Sequence, residues 1–184
     1  MANIWQKPLH AKNKDVGVKK VFYSSEIIID QEDAQSFAQD EEITLMNWGN
    51  AIVRKVSHSL NPVNLFKDKT PITGIEMELH LQGDVKKTAK KITWLSTAQD
   101  LVPVELVDFD YLITKDKLGE DDKFEDFITP KTEFRTEALA DANVAKLKVD
   151  DIIQFDRKGY FRVDRAFQHG QPAVFFQIPT GKTK

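Results

Sequence analysis

The stretch that most limits how this chain can fold is Asp151 to Asp164, DIIQFDRKGYFRVD. Ile152, Ile153 and Phe155 form one β-prone run, and Tyr160, Phe161 and Val163 form a second. Between them lies Asp156-Arg157-Lys158-Gly159, a turn that a glycine at positive φ can close. The sequence therefore predicts a hairpin with aromatics on its strands and two cations, Arg157 and Lys158, at its tip. Arg162 and Arg165 extend the basic character beyond it. An isolated hairpin is marginal in water, so the remaining chain must supply strands that bury it.

Those strands are legible. Val21 to Ile29 is β-branched and aromatic, and Asp30 reads as the N-cap of a short helix carrying Asp33, Ala34, Phe37 and Ala38. Glu42 to Val56 reads as one strand region interrupted at Trp48-Gly49-Asn50, where the glycine suggests a bulge. Thr73 to Leu81 alternates cleanly, with Ile75, Met77, Leu79 and Leu81 on one side and Glu76, Glu78 and His80 on the other. The turn Gln82-Gly83-Asp84 leads to the basic segment Lys86, Lys87, Lys90 and Lys91, then to a strand with Ile92 and Trp94. Further strands are expected at Pro103 to Ile113, near Phe134, and at Pro172 to Ile178. Ala138 to Ala145 favours a short helix by its alanines, and Glu120 to Asp126 an acidic loop with a helical turn near Phe124 and Phe127. Residues 1 to 20, with Lys12, Lys14, Lys19 and Lys20, read as an extended basic arm. Many short strands with regular breakers argue for an all-β fold of barrels or sandwiches. No internal repeat at a fixed period is visible.

Several chemistries find no support. The four histidines, at 10, 58, 80 and 169, lack ligand spacing, and the chain has no cysteine, so no metal site is expected. Asp108 and Asp110 share a strand face without a nucleophile or orienting group nearby. Gly181-Lys182-Thr183 resembles the end of a phosphate loop, but Phe176 stands where that motif needs a glycine. No apolar run reaches the ~20 residues of a membrane span, so no membrane partner is expected. A net charge of −3 does not announce non-specific polyanion binding. What remains is a binding surface in which basic loops lie beside aromatic residues (Trp48, Tyr160 and Phe161), a combination that suits single-stranded RNA.

Four segments in order, VFYSSEIIIDQEDAQSF, EEITLMNWGNAIVRKV, KKITWLSTAQDLVPVELVDFDYLI and IIQFDRKGYFRVD, resemble the C-terminal anticodon-binding region of class I glutamyl- and glutaminyl-tRNA synthetases. Trp48-Gly49-Asn50 and the closing IPTGKTK look like the eukaryotic cytosolic glutamyl branch. The resemblance implies two β-barrels, a distal one over residues 42–115 and a proximal one from residues 21–41 plus 116–184. It implies tRNA as the partner, a cytoplasmic location, a monomer, and proteins of a synthetase complex as further partners. ATP and magnesium would belong to the missing catalytic domain; no cofactor is expected on this chain. Carried over residue by residue, it nominates Asn47, Trp48, Asn50 and Arg54 from one strand and Gln177, Thr180 and Lys182 from another. Arg157 and Lys158 join them from the hairpin tip. Where relatives carry basic residues in the first strand, this chain has Thr44 and Met46. The alternatives are a protein-interaction module, using the acidic loop, and the equivalent glutaminyl region.

Overall fold

The computed structural model describes residues 3–10, 12–59 and 70–180. In chain order the first strands are β1 (Asn3–Pro8), β2 (Val18–Tyr23) and β3 (Ile27–Ile29), followed by the single-turn helix α1 (Gln31–Ala34). Then come β4 (Glu42–Leu45), β5 (Gly49–His58), β6 (Ile72–His80), β7 (Lys91–Ile92) and β8 (Trp94–Ser96). The last five are β9 (Val102–Phe109), β10 (Glu133–Ala140), β11 (Ile152–Phe155), β12 (Gly159–Arg165) and β13 (Ala173–Gln177). The architecture is mainly β, as the alternation predicts. The ladders group into sheets ordered β1-β2, β3-β8, β6-β5-β4-β7 and β10-β9-β13-β12-β11. No ladder among the described residues closes on itself into the expected barrels.

The chain divides into two compact units: residues 1–3 with 22–98, and residues 4–21 with 99–184. Strand pairing accounts for these bounds. Ile27, Ile28 and Ile29 pair with Ser96, Leu95 and Trp94, which ties the segment before residue 42 to the first unit. In the second unit β9 is hydrogen-bonded to β10 on one side and to β13, in parallel, on the other. Along the expected basic arm, Asn3–Pro8 and Val18–Tyr23 pair as a two-stranded ribbon.

Each unit has its own core. In the first, Ile43, Leu45, Ala51, Val53 and Ile92 are buried, with Trp48 and Trp94 packed against them. In the second, Val102, Val104, Phe161, Val163 and Phe175 are buried together. Ala138 and Ala140 belong to β10, opposite Val104 and Val102, and a 3-10 turn follows only at Ala142–Lys146. The expected helix fails because small side chains suit close packing against β9 better than their local helix propensity can resist.

The two units use one hairpin design. In β4–β5 the backbone N–H of Trp48 donates to Leu45 O at 3.0 Å; in β11–β12 that of Lys158 donates to Phe155 O at 3.0 Å. Asn47 and Arg157 take φ of 64° and 65°, and Gly49 and Gly159 follow at 148° and 119°. Before each hairpin an aspartate, Asp40 or Asp150, also has positive φ, and its N–H donates to Val53 O or Val163 O. The interruption read as a bulge at Trp48-Gly49-Asn50 is therefore a chain reversal. A strand pattern resuming after a glycine looks the same in sequence whether the chain bends or turns back.

Candidate nucleic-acid interface

In the first unit, Asn47 sits at the exposed tip of the β4–β5 loop, and its carbonyl accepts a hydrogen bond from Tyr23 Oη at 2.8 Å. Trp48 is half-buried in a three-ring cluster, with centroids 5.0 Å from Tyr23 and 4.8 Å from Trp94. The Trp94 indole N–H donates to Met46 O at 2.8 Å, so the loop is held from both of its flanks. Such ring pairs are worth roughly 0.5–1.5 kcal/mol each beyond area burial.

Asn50, nominated above for tRNA contact, is fully buried at the base of the loop. Its amide nitrogen donates to Glu42 Oε1 at 2.9 Å and its amide oxygen accepts from Thr44 Oγ1 at 2.8 Å. His80 Nδ1 lies 2.7 Å from the same Glu42 oxygen. Hydrogen bonds from His80 first, then Asn50, hold the Glu42 carboxyl below the ordinary carboxylate value. Thr44 bonds to Thr88, whose carbonyl accepts from Lys91 Nζ at 2.6 Å. No local pattern marks this junction: along β6 His80 is simply one of the polar residues alternating with Ile75, Met77 and Leu79.

Arg54 is exposed, but two carboxylates already flank it: Asp40 at 2.9 Å and Glu78 at 2.8 Å. Hydrogen bonds donated to Glu78 first, then to Asp40, raise the guanidinium above its ordinary range. An RNA phosphate would compete with both.

The second unit brings Arg157, Lys158 and Gln177 to one end. Arg157 and Lys158 are exposed in the β11–β12 turn, where Asp156 lies 4.0 Å from Lys19 Nζ. A Cβ on Gly159 would sit 3.7 Å from Gln177 Nε2, which places the Gln177 amide beside that turn. Thr180 is exposed beyond β13, and Lys182 lies outside the described residues. Tyr160 is half exposed on the outer side of β12, whereas Phe161, also read as a possible stacking ring, is buried at 3% exposure. Phe161 packs edge-on against Phe155, 5.4 Å between centroids. Among the described residues no group of three or more acidic or histidine side chains could hold a metal.

Two family models, each described as the anti-codon binding domain of class I tRNA synthetases (E and Q), match residues 2–67 and 91–164. The chain belongs to this anticodon-binding family. It is 52% identical over 177 residues to the probable cytoplasmic glutamate–tRNA ligase of Schizosaccharomyces pombe, covering 96% of this chain and 24% of that protein. Identity to the cytoplasmic glutamate–tRNA ligase of Saccharomyces cerevisiae is 51% over 180 residues, 98% of this chain and 24% of that one. To the bifunctional glutamate/proline–tRNA ligase of Mus musculus it is 34%, covering 95% of this chain and 12% of that protein. This anticodon-binding region thus spans about a quarter of the first two curated relatives. Within the anticodon-binding region, the Asn47 loop falls in the first matched stretch and the Arg157 turn in the second. Gln177 and Thr180 fall outside both.

Proposed function

We propose that this chain binds the anticodon arm of glutamate tRNA, as the recognition part of a longer cytoplasmic enzyme that joins glutamate to that tRNA. The observation that carries the reading is the pair of family matches together with the high identity to glutamate–tRNA ligases. The structure supports it with two loops of one design, one tipped by Asn47 and the other by Arg157 and Lys158. Amides read base edges, and basic side chains hold phosphates or stack on unpaired bases. ATP and magnesium would serve the part of the longer protein that performs the ligation, and the chain itself would act as a monomer. Binding of a glutamate tRNA transcript, set against the same transcript with its anticodon replaced, tests the reading. The cognate form should bind at least tenfold tighter; equal affinities would remove recognition and leave only generic RNA binding.

A second reading has its own observation. Tyr111, Leu112, Phe124 and Ile128 are strongly exposed around the acidic stretch 120–126. Proteins of a synthetase complex would dock there. Co-purification that survives ribonuclease but is lost when residues 120–126 are replaced by Gly-Ser would favour it.

A further inference from the structure

The geometry points to the turn after β6, with Lys86 and Lys87 at its surface, as a second phosphate-holding element beside the Asn47–Trp48 loop. The inference rests on the reading of the chain as an anticodon-arm binder. It adds residues that neither family match covers, since the turn lies between the two matched stretches.

Placement comes first. Asn50 stands opposite His80 in the β5–β6 ladder, so the end of β6 reaches the base of the β4–β5 loop. A Cβ on Gly49 would lie 2.8 Å from Leu81 Cδ2 and 3.8 Å from its Cα. One on Gly83 would lie 2.3 Å from Glu42 Oε1, 2.7 Å from Asn50 Nδ2 and 2.9 Å from His80 Nδ1. The turn therefore presses its bare backbone onto the buried Asn50 junction. From there the backbone N–H of Lys86 donates to Asp84 Oδ1 at 2.9 Å and that of Lys87 to Asp84 O at 3.0 Å. Thr88 is then buried against Thr44. Between these two anchors the lysines project to solvent, both exposed.

Charge state decides which cations matter. In this unit Arg54 is matched by Asp40 and Glu78, Lys55 by Glu76 at 2.9 Å, and Lys90 by Glu41 at 2.7 Å. Lys91 donates to Thr88. Among the described lysines and arginines of the unit, only Lys86 and Lys87 have neither an ion pair nor a side-chain hydrogen bond. The Asp84 carboxylate accepts from the backbone, and the Glu42 carboxylate is held by His80 and Asn50. A polyanion approaching the Asn47 loop would thus meet two unmatched ammonium groups held at its side. Asn50 then acts as a positioning residue that fixes the turn against the loop.

The test is binding of the full chain to a glutamate-tRNA anticodon stem-loop across a salt series, with Lys86→Gln and Lys87→Gln combined. The double variant should melt as the wild type does. Its slope of log affinity against log salt should be shallower by about 1.4 to 1.8, as for two lost phosphate contacts. The wild-type advantage should accordingly shrink roughly tenfold between about 50 and 200 mM salt. Unchanged affinity and slope in the variant, with wild type still selecting the cognate anticodon, overturn this inference alone. A defect seen on whole tRNA but not on the stem-loop places the lysines elsewhere and overturns it too. Loss of binding to poly-glutamate with RNA binding intact would assign the turn to an acidic protein instead. If the wild type shows no anticodon preference, the underlying reading falls, and this one with it.

Discussion

Gly83 shows how one residue can carry a site without touching a ligand. Its missing side chain lets the turn lie on three polar atoms, each within 2.9 Å of where a Cβ would stand. Glycine 83 replaced by alanine must push those atoms apart, and overpacking of this kind costs roughly 1–3 kcal/mol. Denaturant unfolding of Gly83→Ala should show that loss, and cognate tRNA affinity should fall with it as the junction opens. The same junction has a pH signature. The folded Glu42 carboxyl titrates below its ordinary value of 4.5, so its contribution is fully present above pH 4.5 and is lost as pH falls through the lower folded value. Melting temperatures measured from pH 6 downward should therefore drop on the acid side, and Glu42→Gln should drop less steeply. Arg54 gives a contrasting case: its guanidinium is exposed and matched by two carboxylates. Arg54→Ala should leave melting nearly unchanged, and the fall in tRNA affinity should be smaller than for the lysine pair if the carboxylates hold the arginine back.

At the scale of the element, the recurring hairpin explains what the sequence could and could not disclose. The β11–β12 hairpin was legible because Ile153, Phe155, Phe161 and Val163 alternate toward the core and Gly159 marks the reversal. Its counterpart at β4–β5 was not, because Trp48 and Asn50 look like a platform and a reader of bases when only residue types are known. In the fold Asn50 lies in a closed hydrogen-bond junction and Trp48 in the cluster with Tyr23 and Trp94. Both outcomes depend on partners far along the chain, such as His80 and Trp94, which no local pattern names. The kinship of the hairpins was hidden as well, since what they share is backbone: positive φ at Asp40 and Asp150, at Asn47 and Arg157, and at the glycines. Side chains at most other positions differ. Asparagine and glycine tolerate such angles, whereas a Cβ in the left-handed region costs about 1–2 kcal/mol for most residues. Gly159→Ala should therefore destabilise by about that amount through backbone strain, the nearest side-chain atom being an ordinary 3.7 Å away. Arg157→Gly should recover part of the loss in that background, a reversal that a packing defect would not show.

For the whole molecule the governing quantity is charge. Its 26 basic and 29 acidic residues leave a net −3, and many of the described cations are already matched within the fold. Counterion release scales with the number of phosphates a protein neutralises, at about 0.7 per contact on single strands. A chain whose net charge is negative should gain little from generic polyanions. Its affinity for a cognate anticodon loop must then come mostly from base contacts and stacking, which salt barely touches. Heparin or poly(U) should consequently bind weakly and lose proportionally more affinity with salt than the cognate stem-loop, whose two lysine contacts account for a loss of about tenfold between about 50 and 200 mM. Competition titrations of labelled stem-loop against poly(U) at two salt concentrations read this directly: selectivity should rise with salt. A selectivity that falls as salt increases would mean that the field of the protein, rather than the two loop tips, does the recognising.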